Sequence, residues 1–371
     1  MNFFITFGDH KDPKNGGAKF TAAFISLAES ANVSLNIFNY YENNGSRNKL
    51  YRKVLSLFYF IFKKIPVPVG YFYSYRLLSV LNEKIIDALD KKQNVTLVID
   101  HLELCYIASY FSDLYPGSIR YIHLSHNNEP LVFNERIGSK FLLKVINFIS
   151  DYGSYEKKVL NKMDFIFSIS NTEMELYKKR YPELDMAVLP PLFSYKVKEK
   201  NEHDSINKKI VFAADFSWFP NMDAYIWVRD VFLPLLPKGF TIYIYGLNQD
   251  LLVPPVKELE HKIEYCGYVD DVQDIWDKAF FSIAPINKGA GINIKVAESL
   301  HNRVPVIASE LAVEGIDESM LGGVRQASLN PEEWIGILEY YLSNSEYCDL
   351  VDEISYPSLE SYIKLLAQKV N

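Results

Sequence analysis

Short apolar runs rich in β-branched and aromatic residues alternate along the chain with longer segments in which apolar residues recur every three or four positions. The short runs predict strands, and the longer segments, such as 18–31 and 102–115, predict amphipathic helices. Strands that are apolar throughout and separated by helices are typical of parallel sheets covered on both faces. The predicted strands of the first half are Phe3–Phe7, Val33–Phe38, Val95–Ile99, Arg120–Leu124, Phe165–Ile169 and Ala187–Leu189.

The alternation stops in the polar, charged segment 194–209 and then resumes. Because this segment has few large apolar residues, we interpret it as a linker. We therefore predict two α/β domains, 1–195 and 205–345, and a C-terminal helical segment, 346–371, that packs back on the first domain. The predicted strands of the second half are Ile210–Ala213, Thr241–Tyr245, Ile263–Cys266, Phe280–Ala284 and Val304–Ala308.

Composition narrows the class of protein. The chain has 371 residues, of which 49% are hydrophobic and 23% charged, which suits two globular domains. The net charge of −7 argues against general nucleic-acid binding. Three widely spaced cysteines form no zinc motif and fit a reducing compartment. Since no apolar run has the length of a signal peptide or a membrane span, the sequence predicts a cytoplasmic protein.

The stretch 285–316 carries the clearest chemical signal. A loop with Gly289, Ala290 and Gly291 follows a predicted strand and precedes a helix. Glycines permit close backbone approach, and a helix N-terminus offers N–H groups and partial positive charge, so this loop predicts a phosphate site. Lys295 opposes the helix dipole unless an anion is bound, and Glu298 shares its helix face. An ordinary turn with an exposed Lys295–Glu298 ion pair is the alternative.

Further motifs occur in a consistent order along the chain: SHNNE at 125–129, FSISNTEMELY at 167–177, Pro220-Asn221, and IEYCGYVDDV at 263–272. Together with 285–316 they resemble glycosyltransferase family 4, whose members are retaining enzymes. The likeness is to the bacterial subgroup with Gly-x-Gly before a lysine, a helical glutamate and a Pro-Val strand. The resemblance implies the GT-B fold, in which two Rossmann-like domains have parallel sheets facing across an interdomain cleft.

Two departures from the family pattern affect the donor site. Many members carry two glutamates eight positions apart; Glu298 matches the second, but Ala290 occupies the first. Many also carry an arginine and a lysine where this chain reads Asp215-Phe216-Ser217-Trp218-Phe219. The resemblance then implies that Lys295 and the loop Gly289–Asn293 hold the diphosphate, and that Glu298 holds the ribose.

The remaining candidate residues each have a structural alternative. The resemblance places Gly16 and Gly17 near the donor phosphate, although they also suit a plain helix start. His126 would hydrogen-bond the sugar or position the acceptor, and Glu129 would orient the acceptor or cap a helix. Tyr268 would lie near the nucleotide base unless its ring is part of the core. The chain has no Asp-x-Asp motif, so we predict no metal and no cofactor.

The segment 43–82 has no acidic residue. Basic residues beside exposed aromatic rings suit an anionic membrane interface, so we predict peripheral membrane contact through 44–82. In the alternative, the rings pack on the first domain and the charges are solvated. The residues concerned are Arg47, Lys49, Arg52, Lys53, Lys63, Lys64 and Arg76, with Tyr51, Phe58, Tyr59, Phe60, Phe62, Tyr71, Phe72, Tyr73 and Tyr75.

The predicted function is transfer of a sugar from a nucleoside-diphosphate sugar to a saccharide acceptor, lipid-linked, with retention, at the inner face of a bacterial membrane during surface-polysaccharide assembly. The alternatives are an epimerase or hydrolase of nucleotide sugars, or a non-catalytic relative that binds a saccharide or a partner. The predicted catalytic residues are His126 and Glu129, and the predicted donor-binding residues are Gly16, Gly17, Ser217, Tyr268, Gly289, Ala290, Gly291, Ile292, Asn293, Lys295 and Glu298.

Overall fold

The computed structural model describes residues 1–8, 10–11, 13, 16–43, 49–127, 129–130, 151–193, 195, 197, 208–289, 291–343 and 346–370. The chain divides into two compact units, one of residues 1–192 with 358–371 and one of residues 193–357. The predicted linker, 194–209, lies mostly outside the described residues.

The described residues form alternating strands and helices. The strands are β1 (Asn2–Thr6), β2 (Leu35–Asn39), β3 (Val95–Asp100), β4 (Ile119–Leu124), β5 (Phe165–Ser168), β6 (Met186–Val188), β7 (Lys209–Ala213), β8 (Thr241–Tyr245), β9 (Ile263–Gly267), β10 (Ala279–Ala284), β11 (Val306–Ala308) and β12 (Val324–Gln326). The helices are α1 (Gly16–Ser30), α2 (Tyr40–Asn43), α3 (Lys49–Lys63), α4 (Val67–Phe72), α5 (Tyr75–Asp90), α6 (Tyr106–Leu114), α7 (Tyr152–Leu160), α8 (Asn171–Arg180), α9 (Phe219–Trp227), α10 (Leu233–Leu235), α11 (Val272–Trp276), α12 (Ile294–His301), α13 (Glu310–Val313), α14 (Pro331–Ser343), α15 (Glu346–Asp352) and α16 (Leu359–Val370).

Each unit contains a six-stranded sheet whose neighbouring strands are all parallel. The predicted α/β class with two parallel sheets is therefore confirmed. All six residues of β3 and all six of β10 are buried, as expected for central strands covered by helices on both faces. The sequence prediction did not include β12. With only three residues, Val-Arg-Gln, this strand is too short and too polar to give a strand signal in the sequence.

The strand orders reverse at one place in each sheet. The first sheet has the order β2-β1-β3-β4-β5-β6, so the order reverses between β1 and β3. The second has the order β12-β11-β10-β7-β8-β9, so it reverses between β7 and β10. In open parallel sheets, ligands bind outside the carboxyl ends of the strands at such switch points. Each unit thus has one preferred edge for a site.

The C-terminal segment is divided between the units. Helix α16 packs against α1 in the first unit, where Leu366 and Val370 are fully buried. Residues 346–357, which the sequence prediction joined to α16, instead belong to the second unit. The reason is apolar packing, because Leu350 and Ile354 are part of the core of that unit.

The described helices include none that is both long and apolar enough to span a membrane.

Candidate functional site

In the second unit, the predicted donor-binding loop begins where β10 ends at the switch point. Gly289 and Gly291 have φ values of 108° and 87°, which side-chain-bearing residues rarely adopt. A Cβ on Gly289 would lie 3.3 Å from Cγ of Pro220 in the first turn of α9, so the loop closely approaches the start of this helix. Ala290 lies outside the described residues.

Helix α12 starts without a side-chain cap. Asn293 is the N-cap residue, but its side chain makes no capping bond and instead points its Nδ2 toward the Leu311 carbonyl at 3.5 Å. An uncapped first turn leaves backbone N–H groups that an anion can satisfy. Ile292 is half-buried beside this turn. The structure thus brings the loop and the helix start together at the switch point.

Lys295 is the basic residue of this site. Its Nζ donates to Oδ1 of Asn221 at 2.6 Å and lies 5.5 Å from the centre of the Phe212 ring. Burial lowers the pKa of Lys295 to about 7. Among the described residues, no carboxylate lies within ion-pair distance of its ammonium group. Within the described ranges, the polar partner of this partly buried cation is a neutral amide, and such a cation is electrostatically suited to an incoming anion.

The loop after β7 is fixed by Asp215. Oδ1 of this carboxylate accepts from the Ser217 backbone N–H at 3.0 Å, from the Ser217 hydroxyl at 2.8 Å and from Nδ2 of Asn248 at 2.7 Å. Asn221 donates its Nδ2 to the Asp215 carbonyl at 2.8 Å. Ser217 is exposed, but its hydroxyl proton already forms a hydrogen bond with Asp215 within the loop.

The burial of Glu298 and the exposure of Tyr268 contradict the structural alternatives that the sequence left open for them. Glu298 is buried, with 3% of its surface exposed, so it does not form an exposed ion pair with Lys295. Its charge raises the pKa of Tyr195, although burial of that phenol is the larger cause. Tyr268 follows β9 and is 42% exposed, so its ring is not part of the core.

In the first unit, the switch point is occupied by a buried carboxylate. Asp100 ends β3, and its Oδ2 accepts from the hydroxyl of Thr6 at 2.5 Å and from that of Thr21 at 2.9 Å. Its Oδ1 accepts from Nε2 of His126. Burial favours the neutral acid, but His101, His126 and Thr6 together outweigh it and hold the pKa of Asp100 well below its usual range.

Further ionisable groups surround the Asp100–His126 pair. The rings of His101 and His126 stack with centres 3.7 Å apart. Burial lowers the pKa of His101 to about 3, so this ring is neutral. Burial raises the pKa of both Glu103 and Glu129, and the negative charge of Glu103 raises the pKa of Glu129 further. Ligand atoms of His101, Glu103 and Glu129 lie within 4.8 Å of one another, as do those of Asp100, His101 and His126.

Gly16 and Gly17 form the first turn of α1, the helix that also carries Thr21. Phe20 of the same helix packs edge-on against His126, with ring centres 4.9 Å apart. The structure therefore brings His126 and Glu129 together and attaches the helix of Gly16 and Gly17 to the same cluster.

The sequence prediction missed several residues of these two sites. Asp100, His101 and Glu103 directly follow a predicted strand, and the rule that ligands bind at the carboxyl ends of strands could have found them. Asn221 was part of a quoted motif, but its bond to Lys295 has no sequence signal. Gly246 at the end of β8 is required sterically, since a Cβ there would lie 1.9 Å from the Ala214 carbonyl oxygen.

Comparison with known proteins gives a family match within the second unit. Residues 207–344 match the family model described as Glycosyl transferases group 1. No curated protein sequence matches the chain. This match covers Asn221 in the first turn of α9 and Lys295 in the first turn of α12.

Solved structures share the fold of the whole chain. WaaG, a glycosyltransferase involved in lipopolysaccharide biosynthesis, is 12% identical, covers 100% of both chains and gives a TM-score of 0.62. The lipopolysaccharide outer core galactosyltransferase WaaB is 12% identical over 99% of both chains, with a TM-score of 0.59. HepE from Anabaena in complex with UDP is 12% identical, over 100% of this chain and 96% of that chain, with a TM-score of 0.56.

TarM matches 81% of this chain with 13% identity and a TM-score of 0.54, and this chain spans 59% of the length of TarM. At such low identities the likeness concerns the fold. The chain therefore has the two-domain Rossmann-like GT-B fold, and its residues 207–344 match the glycosyl transferases group 1 family model.

Proposed function

We propose that this protein is a glycosyltransferase that moves a sugar from a nucleoside-diphosphate sugar to a saccharide acceptor. The observation that carries the proposal is the desolvated ammonium group of Lys295 beside an uncapped helix start and a loop with two positive-φ glycines. These groups suit a diphosphate, which would accept from the first-turn N–H groups and pair with Lys295. Glu298, buried on the same helix, would accept from the ribose hydroxyls.

The reaction we propose retains the configuration of the anomeric carbon. The acceptor hydroxyl oxygen forms the new bond to that carbon, the bond to the diphosphate oxygen breaks, and the acceptor proton passes to the departing diphosphate. Lys295 stabilises the charge that develops on this leaving group. Because the leaving group takes the proton, the reaction needs no strong protein base.

His126 and Glu129 we assign to the sugar and the acceptor. The Asp100 carboxylate accepts from Nε2 of His126, which leaves Nδ1 as the nitrogen for a ligand hydroxyl. The raised pKa of Glu129, caused first by burial, favours a protonated carboxyl that can donate to an acceptor oxygen. We propose that the reaction uses no metal and no cofactor, and that EDTA leaves the rate unchanged.

The acceptor we propose is a lipid-linked saccharide of a bacterial surface polysaccharide. WaaG and WaaB, which share the fold, act in lipopolysaccharide synthesis. The motifs of the bacterial subgroup in 285–316 support the same assignment.

The first test is thermal stability in the presence of UDP, GDP and related nucleotides. UDP is the first choice because HepE was crystallised with it. A nucleotide at about 100 times its dissociation constant should stabilise the protein by roughly 2.7 kcal/mol. In Lys295→Met the shift should disappear, whereas Lys288→Met, which removes an exposed lysine paired with Asp223, should keep it.

The outcomes separate the candidate functions. If no nucleotide shifts the transition of the wild-type protein, the donor site is wrong and a non-catalytic role is favoured. If a nucleotide sugar binds and is consumed without an acceptor, the protein is a hydrolase or an epimerase.

A further inference from the structure

Helix α3 buries its more polar face and exposes its apolar face, which is the reverse of an ordinary surface helix. Its buried residues are Arg52, Ser56 and Tyr59. Its large apolar residues are exposed, with between 46% and 70% of their surface accessible: Leu50, Tyr51, Val54, Leu57, Phe58, Ile61 and Phe62. Their spacing of three and four residues places them on one continuous face. The described part of the protein leaves this face uncovered.

The inner face of α3 is held firmly. The Arg52 guanidinium lies over the rings of Tyr40, Tyr41 and Tyr71, at 5.2, 4.9 and 5.6 Å from their centres. A Cβ on Gly70 would lie 3.1 Å from the backbone of Ser56, so α4 packs closely against α3. Rotating the apolar face inward would break these cation–π contacts. The outward orientation is therefore a property of the fold.

The charges around this face have one sign. Lys49, Lys53 and Lys64 are exposed, and residues 43–82 contain no acidic residue although the whole chain has a net charge of −7. At 3.6 residues per turn, Lys49 and Lys53 lie along one edge of the apolar face. A second copy docked on this face by twofold symmetry would bring these lysines toward each other. An anionic surface is the complementary partner.

We propose that α3 is a membrane-docking helix that lies in the interface of an anionic phospholipid bilayer. The apolar face enters the acyl boundary, and the lysines contact the lipid phosphates. This inference uses no part of the nucleotide site, and it is tested without substrate, so its failure would leave the proposed transferase function standing. It agrees with a lipid-linked acceptor.

The proposal is tested by co-sedimentation of the full chain with vesicles. We expect binding to vesicles of about 30% phosphatidylglycerol in phosphatidylcholine, and weaker binding to phosphatidylcholine alone or at high salt. The double variant Ile61→Glu/Phe62→Glu should lower the partition coefficient by at least about 100-fold, because it removes buried apolar area and adds repelled charges. The variant Lys49→Gln/Lys53→Gln/Lys64→Gln should lower it by roughly 100-fold.

The matched control is Leu251→Glu/Val256→Glu, which makes the same change at two exposed apolar residues of the second unit. It should bind vesicles like the wild type. Equal binding of the α3 variants and the wild type would overturn the proposal. So would a wild-type dimer that α3 variants convert to monomers without vesicle binding, since α3 would then be a protein interface. Unchanged circular dichroism and thermal midpoints verify that the variants fold.

Discussion

Lys295 places a positive charge where the protein alone does not stabilise it. Asn221 supplies one neutral acceptor, and Phe212 supplies a ring face, but neither neutralises the ammonium group. Desolvation of an unpaired charge costs free energy, so the residue weakens the unliganded fold. A bound diphosphate would reverse this cost. Lys295 would therefore destabilise the unliganded protein and stabilise the protein with diphosphate bound.

This sign change predicts a specific pH dependence. The folded-state pKa of Lys295 is lowered to about 7 from an ordinary value of 10.5. Between these values the unfolded chain binds a proton that the folded chain does not, so the unliganded protein should become more stable as pH rises from about 7 toward 10.5. Nucleotide affinity should fall over the same range, by at most about tenfold per pH unit, because the bound diphosphate requires the charged amine.

Denaturation curves and nucleotide titrations between about pH 7 and pH 9 measure both effects. Lys295→Met should be more stable than the wild type near pH 7, and its stability should lack this part of the pH dependence. Its nucleotide binding should be lost at every pH. Parallel denaturation curves of the wild type and Lys295→Met would contradict the lowered pKa of Lys295. Nucleotide binding by Lys295→Met with the pH dependence of the wild type would mean that Lys295 does not hold the diphosphate.

Single residues of the site were predictable only where backbone and charge signals coincided. Gly289, Gly291, Lys295 and Glu298 could be proposed because glycines before a helix start and a lysine in its first turn are visible in the sequence. Asn221 and Asp100 could not be paired with their partners Lys295 and His126, because those contacts join residues 74 and 26 positions apart in the sequence.

At the scale of elements, Asp100 connects β3 to three other parts of the first unit. It ends β3, accepts from Thr6 at the end of β1 and from Thr21 in α1, and accepts from His126 after β4. These elements come together at the place where the strand order reverses. The Asp100 carboxylate thus holds the His126 ring in place, and it is itself held by elements that are distant in the sequence.

Asp100→Asn keeps the shape of this side chain and removes its charge. We expect kcat/KM for glycosyl transfer to fall by about 100-fold or more, because the charge-assisted bond that orients His126 is lost. The nucleotide-induced thermal shift, which belongs to the second unit, should be unchanged. Steady-state kinetics with the thermal assay measure the two separately.

Thr21 provides a graded control for this prediction. Thr21→Ser retains the hydroxyl that donates to Asp100 and should stay near wild-type activity, whereas Thr21→Val removes it and should fall between the wild type and Asp100→Asn. Full activity of Asp100→Asn would mean that the Asp100–His126 contact is only structural.

The elements themselves were largely predictable, whereas the orientation of α3 stayed open between two alternatives. Central strands are continuous apolar runs, so β1, β3 and β10 stand out in the sequence. The pattern of α3 shows one apolar and one polar face, and the usual expectation buries the apolar one. Only the contacts of Arg52 with three tyrosine rings show that the polar face points inward.

At the scale of the whole molecule, the chain order and the unit boundaries do not coincide. The chain builds the first unit, then the second, and returns with α16 to the first. Helix α16 packs against α1, and Lys369 donates to Asp185 at 2.7 Å. Leu366 and Val370 are the fully buried residues of this helix. The first unit is therefore incomplete until α16 has been synthesised.

This arrangement predicts that a core change in the last helix weakens the first unit and not the second. Leu366→Ala should lower the free energy of unfolding of the first unit by about 2–4 kcal/mol, because it leaves a cavity against α1. Hydrogen exchange should then accelerate in β1, α1 and β3 while β7 and β10 keep their protection. The matched change Lys364→Ala removes an exposed residue paired with Glu360 and should cost less than about 0.5 kcal/mol. Nucleotide binding should survive in Leu366→Ala, since Lys295 and its loop belong to the other unit. Faster exchange spread equally over both units would instead mean that the two units unfold as one cooperative body.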